Sequence, residues 1–223
     1  MISSYKGVRQ LDKEDRLLEL CRGKRVLHLG CTDWPVTEEK AQDGNLLHIK
    51  LATVTGELVG LDFSNEGIAA LRQKCKLPLY YCDLTKDCSE VAHKLGIFDW
   101  ILCCDILEHV DNFAAALTNL KLFMNKDSRL VITVPNSFAM SKVVHILMSN
   151  NEKQHPEHTC SFSIVNLQTL LGRHGLKILS CDGFAYLSDG RLAKTYKRVI
   201  HRFLKIVNRS GLADELFVIA ALE

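Results

Sequence analysis

Residues 98–110 read Phe98-Asp99-Trp100-Ile101-Leu102-Cys103-Cys104-Asp105-Ile106-Leu107-Glu108-His109-Val110. The segment 98–105 is a nearly continuous apolar run that stops at a carboxylate. A run without polar alternation is what a strand covered on both faces requires. Three shorter runs precede it in the same style, at 25–30, 57–62 and 79–83, ending at Gly30, Asp62 and Asp83. A fifth strand is expected at 129–135, and two more at 176–181 and 216–222. Between them lie stretches with helical spacing, at 46–54, 65–74, 90–95, 112–124 and 165–172. An N-terminal helix capped by Asp12 carries Leu17, Leu18 and Cys21 on one face and ends at Gly23. The polar stretch 34–45 reads as a loop. Alternating strands and helices of this kind predict an α/β fold: a doubly wound, mostly parallel, seven-stranded sheet with helices on both faces, Rossmann-like in plan.

Composition fits one such domain. The chain has 223 residues, 47% hydrophobic and 24% charged, with a formal net charge of +2. That excludes a disordered chain and gives no general reason to expect nucleic-acid binding. No apolar run approaches the ~18 residues that would span a bilayer. The nine cysteines include no Cys-x-x-Cys pair, and the opening residues carry no apolar signal stretch. A reduced, cytoplasmic protein is therefore expected, with Cys103 and Cys104 acting as small buried hydrophobes. A single domain over 1–223 is expected, with 1–23 as an N-terminal helical segment and 137–161 and 184–214 as insertions on the substrate side.

In a doubly wound sheet, ligands sit beyond the carboxyl ends of the strands. Four features fall there: the Gly30-Cys31-Thr32 turn, Asp62, Asp83, and Asp105 with Glu108 and His109. A glycine lets the backbone approach a ligand closely. A carboxylate after the second strand can accept from both ribose hydroxyls. Each feature alone is ordinary for a turn or a helix cap, but their order asks for a nucleoside over strands one to three and chemistry beside strand four.

These residues resemble the class I S-adenosylmethionine-dependent methyltransferases, the broad type that includes ubiquinone-pathway O-methyltransferases and polysaccharide- or antibiotic-tailoring enzymes. The resemblance rests on Val26-Leu27-His28-Leu29-Gly30-Cys31, Val59-Gly60-Leu61-Asp62-Phe63-Ser64, Tyr81-Cys82-Asp83-Leu84 and the 98–110 stretch. It continues through Val131-Ile132-Thr133-Val134-Pro135-Asn136 and His155-Pro156-Glu157-His158, and so covers nearly the whole chain. It implies S-adenosylmethionine as cofactor and S-adenosylhomocysteine as product. Gly30, Cys31 and Thr32 would bind the cofactor, with Gly30 and Cys31 lining its methionine part. Asp62 would hold the ribose, Phe63 would lie against the adenine, Asp83 and Leu84 would read the adenine edge, and Asp105 would sit near the sulfonium. Two departures stand out. His28 occupies the place of an acid and Thr32 that of a second glycine. The interval from Gly30 to Asp62 is also longer than the roughly 20 residues of the analogous dinucleotide fingerprint. Asp33 is the candidate to replace the missing carboxylate.

Methyl transfer to a hydroxyl needs in-line attack and a base. His109 is the first candidate, the competing role being a helix-end packing residue. His158 and His155 follow, on the long polar loop 149–161, where the competing role is a solvent-facing pair. Asp105, Glu108 and His109 also have the spacing of one helical turn. With His155 or His158 they make a mixed oxygen and nitrogen set suited to a divalent metal. This set is similar to the metal motif of small-RNA 2′-O-methyltransferases, which carry Glu where Asp105 stands. The metal-free reading is preferred.

The segment 191–209 holds Arg191, Lys194, Lys197, Arg198, Arg202, Lys205 and Arg209, with Tyr196, Ile200, Phe203 and Val207 at helical spacing. It reads as an amphipathic helix with a solvated cationic face, or one that docks to phosphate or to a membrane surface. The expected activity is methyl transfer to a hydroxyl of a small-molecule or sugar-containing acceptor, such as a glycan precursor. The alternatives are a metal-assisted RNA 2′-O-methyltransferase and a non-catalytic partner of the same fold. A dinucleotide oxidoreductase is disfavoured because no Gly-x-Gly-x-x-Gly follows the first strand.

Overall fold

The computed structural model describes residues 13–152, 154–184 and 210–223. The sheet has seven strands: β1 (Arg25–Leu29), β2 (Glu57–Asp62), β3 (Leu79–Tyr81), β4 (Trp100–Cys104), β5 (Arg129–Pro135), β6 (Leu176–Phe184) and β7 (Glu215–Leu222). Their order is β3-β2-β1-β4-β5-β7-β6. The first five run parallel, and β7 enters antiparallel between β5 and β6. The expected doubly wound α/β sheet is therefore present.

The eight helices described are α1 (Lys13–Cys21), α2 (Thr37–Gln42), α3 (Leu47–Ala52), α4 (Asn65–Lys74), α5 (Ser89–Leu95), α6 (Phe113–Lys121), α7 (Met140–Ser149) and α8 (Ile164–Arg173). Successive strand residues point to opposite faces, which splits the core in two. Leu27, Leu29, Ile101, Cys103, Leu130 and Ile132 pack with Ala92 of α5, Leu117 and Leu120 of α6, and Leu167 of α8. Val26, Leu58, Leu102 and Val131 pack on the other face with Leu17 and Cys21 of α1 and Leu51 of α3. Each fully buried Leu or Phe stabilises the fold by roughly 1.5–3 kcal/mol. Cys103 is buried as expected, whereas Cys104 is half-buried.

Two segments differ from their sequence reading. The polar stretch 34–45 contains α2, which buries only Thr37 and so shows no apolar stripe. Helices α2 and α3 fill the long interval between β1 and β2. The 137–161 insertion contains α7, a helix with no buried residue. Its apolar residues face solvent, Leu147 and Met148 most of all, so no packing partner revealed it in advance. The basic segment 191–209 lies outside the described residues, as do Asp12 and most of the 184–214 insertion. Among the described residues no helix is long and apolar enough to cross a membrane.

His28, at the place of an acid in the resemblance, turns to the α3 face. Its Nδ1 lies 3.1 Å from Nδ1 of His48, with both rings buried and stacked. One nitrogen must donate and the other accept, so the two rings cannot both be protonated. Gly60 is the register partner of His28 on β2. A Cβ there would meet Cys31 Sγ and Leu79 Cδ2 at 2.6 Å and His48 Cε1 at 3.0 Å. The space a side chain needs is taken by atoms from three other elements.

Gly60→Ala is thus expected to destabilise the chain by roughly 1–3 kcal/mol, the usual cost of overpacking. A urea midpoint equal to that of the parent would contradict this close packing. Burial also depresses the pKa of His28 to about 4 and of His48 to about 3, the latter with help from His28. Both folded values lie below the unfolded value near 6.5, so the unfolded chain binds more protons. The stability contributed by the neutral pair is complete above pH 6.5 and is lost as pH falls toward about 4. The double variant His28→Leu/His48→Leu should lose less stability than the parent between pH 7 and pH 5. Equal losses, read from urea midpoints at the two pH values, would remove the pair from this role.

Candidate active site

Parallel pairing brings the carboxyl ends of β1 to β4 to one edge. Asp62 closes β2 there, almost fully buried. Its Oδ2 accepts from the Thr32 amide at 3.0 Å and the Thr32 hydroxyl at 2.8 Å, and its Oδ1 from the Ser64 amide at 2.9 Å. Ser64 in turn caps α4 through the Gly67 amide. One carboxylate thus fixes the turn after β1 and the start of α4. The next residue, Phe63, is 73% exposed, and Tyr81, the register partner of Asp62, is 45% exposed. Two aromatic rings therefore lie open next to this carboxylate.

Gly30 turns the chain with φ +63°, and a Cβ there would press on Ile106 Cδ1 at 3.3 Å. The β1 turn and the loop after β4 therefore touch. Cys31 and Thr32 are buried behind Gly30. Asp33 extends to Lys40 at 2.7 Å, in an exposed ion pair on the β1–α2 loop.

Asp83 is half-buried. Its Oδ1 accepts from the Thr85 amide at 2.9 Å and the Thr85 hydroxyl at 2.6 Å, and the hydroxyl bond is the main reason its carboxyl titrates low. Leu84 packs into the core, and its carbonyl accepts from Asn119 Nδ2 at 2.9 Å.

Asp105 takes up φ +53°, a conformation that costs a non-glycine residue on the order of 1–3 kcal/mol. It is held there by Thr133, whose carbonyl and hydroxyl accept from the Asp105 amide at 3.0 and 3.1 Å. The carboxylate reaches Lys13 Nζ at 2.6 Å, and the same ammonium lies 3.1 Å from Glu215. Burial works to lower the Lys13 pKa, but Glu215 and Asp105 outweigh it and raise the value. Burial and then Asp105 push Glu215 up to about 7. Neither Lys13 nor Glu215 was singled out from the sequence. They lie 92 and 110 positions from Asp105 in opposite directions, and only the pairing of Pro135 with Glu215 brings the latter to this edge.

Beyond Asp105 the chain makes a 3-10 turn, Leu107–His109. Glu108 points inward, 1% exposed, and neither of its carboxylate oxygens has a hydrogen-bond partner. Burial raises its pKa to about 8. The 155–160 loop folds back on this turn. The Thr159 amide and hydroxyl both donate to the Glu108 carbonyl, at 2.8 and 3.1 Å. That brings the three candidate histidines together. The His109 and His158 ring centroids are 4.7 Å apart edge to face, and His155 lies 5.1 Å from His158. Burial, with His109 and His155 as neighbours, holds the His158 pKa below its ordinary value.

Ligand atoms of Glu108, His109 and His158 all lie within 4.8 Å of one another. Two orphaned carboxylate oxygens beside two imidazoles suit a divalent cation, so the residues fit such a group. The set differs from the one expected from spacing. Asp105 is turned away to Lys13 and Thr133 and drops out, while Glu108, His109 and His158 of the expected set come together.

Comparison with known proteins agrees with the fold. A family profile described as a methyltransferase domain matches residues 8–181. No curated protein gives a significant sequence match. Among solved structures, a SAM-dependent methyltransferase from Archaeoglobus fulgidus is 18% identical with a TM-score of 0.55, over 93% of this chain and 90% of that one. Magnesium protoporphyrin IX methyltransferase from Synechocystis, solved with bound SAH, is 14% identical with a TM-score of 0.57, over 97% and 90%. The N-methyltransferase NodS from Bradyrhizobium japonicum, also in complex with SAH, is 14% identical with a TM-score of 0.52, over 94% and 85%. At these identities the likeness is one of fold.

Proposed function

The chain belongs to the class I S-adenosylmethionine-dependent methyltransferases, and on that premise we propose that it methylates a hydroxyl of a small-molecule or sugar-containing acceptor in the cytoplasm. The cofactor lies over β1 to β3. Gly30 and Cys31 line its methionine part, and Thr32 completes the turn that binds it. Asp62 holds a ribose hydroxyl, since a carboxylate has about four acceptor positions and three are used within the chain. Phe63 covers the adenine, and Asp83 and Leu84 meet its edge. Asp105 stands toward the sulfonium, whose positive charge the acidic strand ends complement.

The acceptor oxygen attacks the methyl carbon in line. The carbon–sulfur bond breaks, S-adenosylhomocysteine leaves, and the hydroxyl proton passes to a histidine. The observation that carries this reading is the meeting of His109, His158 and His155 beside the end of β4. His109 is the base of first choice. His158, whose pKa its surroundings hold below the ordinary value, is the second, and His155 completes the group.

Glu108 favours a second reading, metal-assisted 2′-O-methylation of RNA. Glu108, His109 and His158 would hold the cation, which when bound supplies a Lewis acid for the acceptor oxygen. The basic segment 191–209 would then serve the phosphate of the acceptor, whether in RNA or in a glycan precursor.

Calorimetric titration with S-adenosylmethionine and S-adenosylhomocysteine, with NADH as control, should give micromolar binding of the adenosyl compounds alone. His109→Ala should lower kcat by roughly 10²–10⁴-fold and leave S-adenosylhomocysteine affinity intact. Unchanged turnover removes His109 from the base role. Turnover lost on adding EDTA, with cofactor affinity preserved, selects the metal reading. No adenosyl binding selects a non-catalytic partner.

A further inference from the structure

The loop between β3 and α5 carries two thiols, Cys82 and Cys88, at its two ends. Both are buried in the main core, with Cys82 retaining the greater exposure. Their sulfurs are 2.8 Å apart, inside the van der Waals contact of two sulfur atoms. All nine cysteines of the chain are free thiols. The five residues between this pair include Asp83, tied to Thr85, and Lys86 and Asp87. Thr85, Lys86 and Asp87 form one wall of an open cavity of about 460 Å³, and α6 from its cap Asn112 to Asn119 forms the other. Asn119 on α6 holds the same loop from the far side through the carbonyls of Leu84 and Lys86. The loop conformation that presents Asp83 is therefore the one that brings the sulfurs together, and closing a bond between them needs little movement.

We propose that Cys82 and Cys88 form a reversible disulfide that clamps the β3–α5 loop and holds Asp83 in place. The oxidant is a peroxide. One of the two sulfurs, as thiolate, attacks one peroxide oxygen, breaking the O–O bond, and becomes a sulfenic acid as water is released. The other sulfur then displaces the sulfenic oxygen as a second water and the S–S bond forms. Two thiols lose two electrons and two protons, and one peroxide becomes two waters. A small dithiol reverses the step by exchange. Either sulfur can lead, since either thiol can donate in the contact between them. The effect on the cofactor rests on the role given to Asp83 above, but formation of the disulfide does not.

The test uses the full chain, reduced, freed of reductant and then exposed to hydrogen peroxide. Remaining thiols are trapped by alkylation and mapped by peptide mass spectrometry. A Cys82–Cys88 cross-link with loss of two hydrogen atoms is expected. The melting temperature should rise by on the order of 5 °C, as for closure of a short loop. Dithiothreitol should reverse both changes. Cys88→Ser and Cys82→Ser should each abolish them while the variants remain folded. S-adenosylhomocysteine should bind the oxidised form about threefold more tightly, as expected for a pre-organised loop. Alkylation of both residues after peroxide, or oxidation confined to Cys75 or Cys160, overturns the proposal, as does a cross-link that lowers the melting temperature. A cross-link with unchanged affinity overturns the clamp on Asp83. If the cross-link forms and neither form binds S-adenosylhomocysteine, the methyltransferase reading fails and the disulfide stands.

Discussion

The reversal of strand order at β1 is the constraint from which the rest of the molecule follows. β1 pairs in parallel with β2 on one side and β4 on the other, so the chain leaves the ends of β1 and β4 in opposite directions. The gap between those departures is where a ligand can enter without displacing backbone. Gly30 and Ile106 meet across it, and the φ of +63° at Gly30 favours a residue without a side chain. Asp62 closes one flank by binding the Thr32 and Ser64 amides, and Asp105 lies on the other flank, held by Thr133. The Asp62 carboxylate is positioned by two backbone amides and that of Asp105 by the Lys13 ammonium and the Thr133 hydroxyl, so both are held by groups of the chain itself.

The sheet and the strand-end acids were legible in the sequence because they follow from local pattern. An apolar run ending in Asp needs no distant information to be read as a buried strand with a polar end. β2, α4 and β5 accordingly occupy the residues expected of them. Helix α2 escaped because a helix that buries only Thr37 has no stripe to detect. α7 escaped for the opposite reason: its apolar residues are plentiful but cover no core. In the candidate site, each histidine could be nominated singly from its place in the chain. Their convergence depends on Thr159 binding the Glu108 carbonyl, a contact across 51 residues that no short-range pattern encodes. The Lys13 bridge between Asp105 and Glu215 has the same non-local origin.

The two buried glutamates describe the chemistry of this edge from different sides. Glu215 shares Lys13 with Asp105, and the three form a group in which one cation serves two carboxyls. Glu108 has no such partner and is kept neutral by burial. A neutral acid beside His109 and His158 leaves those rings free of a permanent counter-ion. Lys13 thus answers the carboxyls of Asp105 and Glu215, whereas no hydrogen bond engages that of Glu108.

The antiparallel entry of β7 bears on how the chain assembles as it is made. β6 reaches the sheet only through β7, since the two are neighbours and β5 touches β7 alone on that side. A nascent chain that has released residues up to 209 therefore carries five parallel strands with β5 as an open edge and β6 without a place. An open edge of Leu130, Val131, Ile132 and Val134 is a template for intermolecular pairing. Release of Glu215–Leu222 covers that edge, seats β6, and delivers the Glu215 carboxyl to Lys13 in one event. Protection from aggregation and completion of the charge arrangement at the site are thus coupled in time.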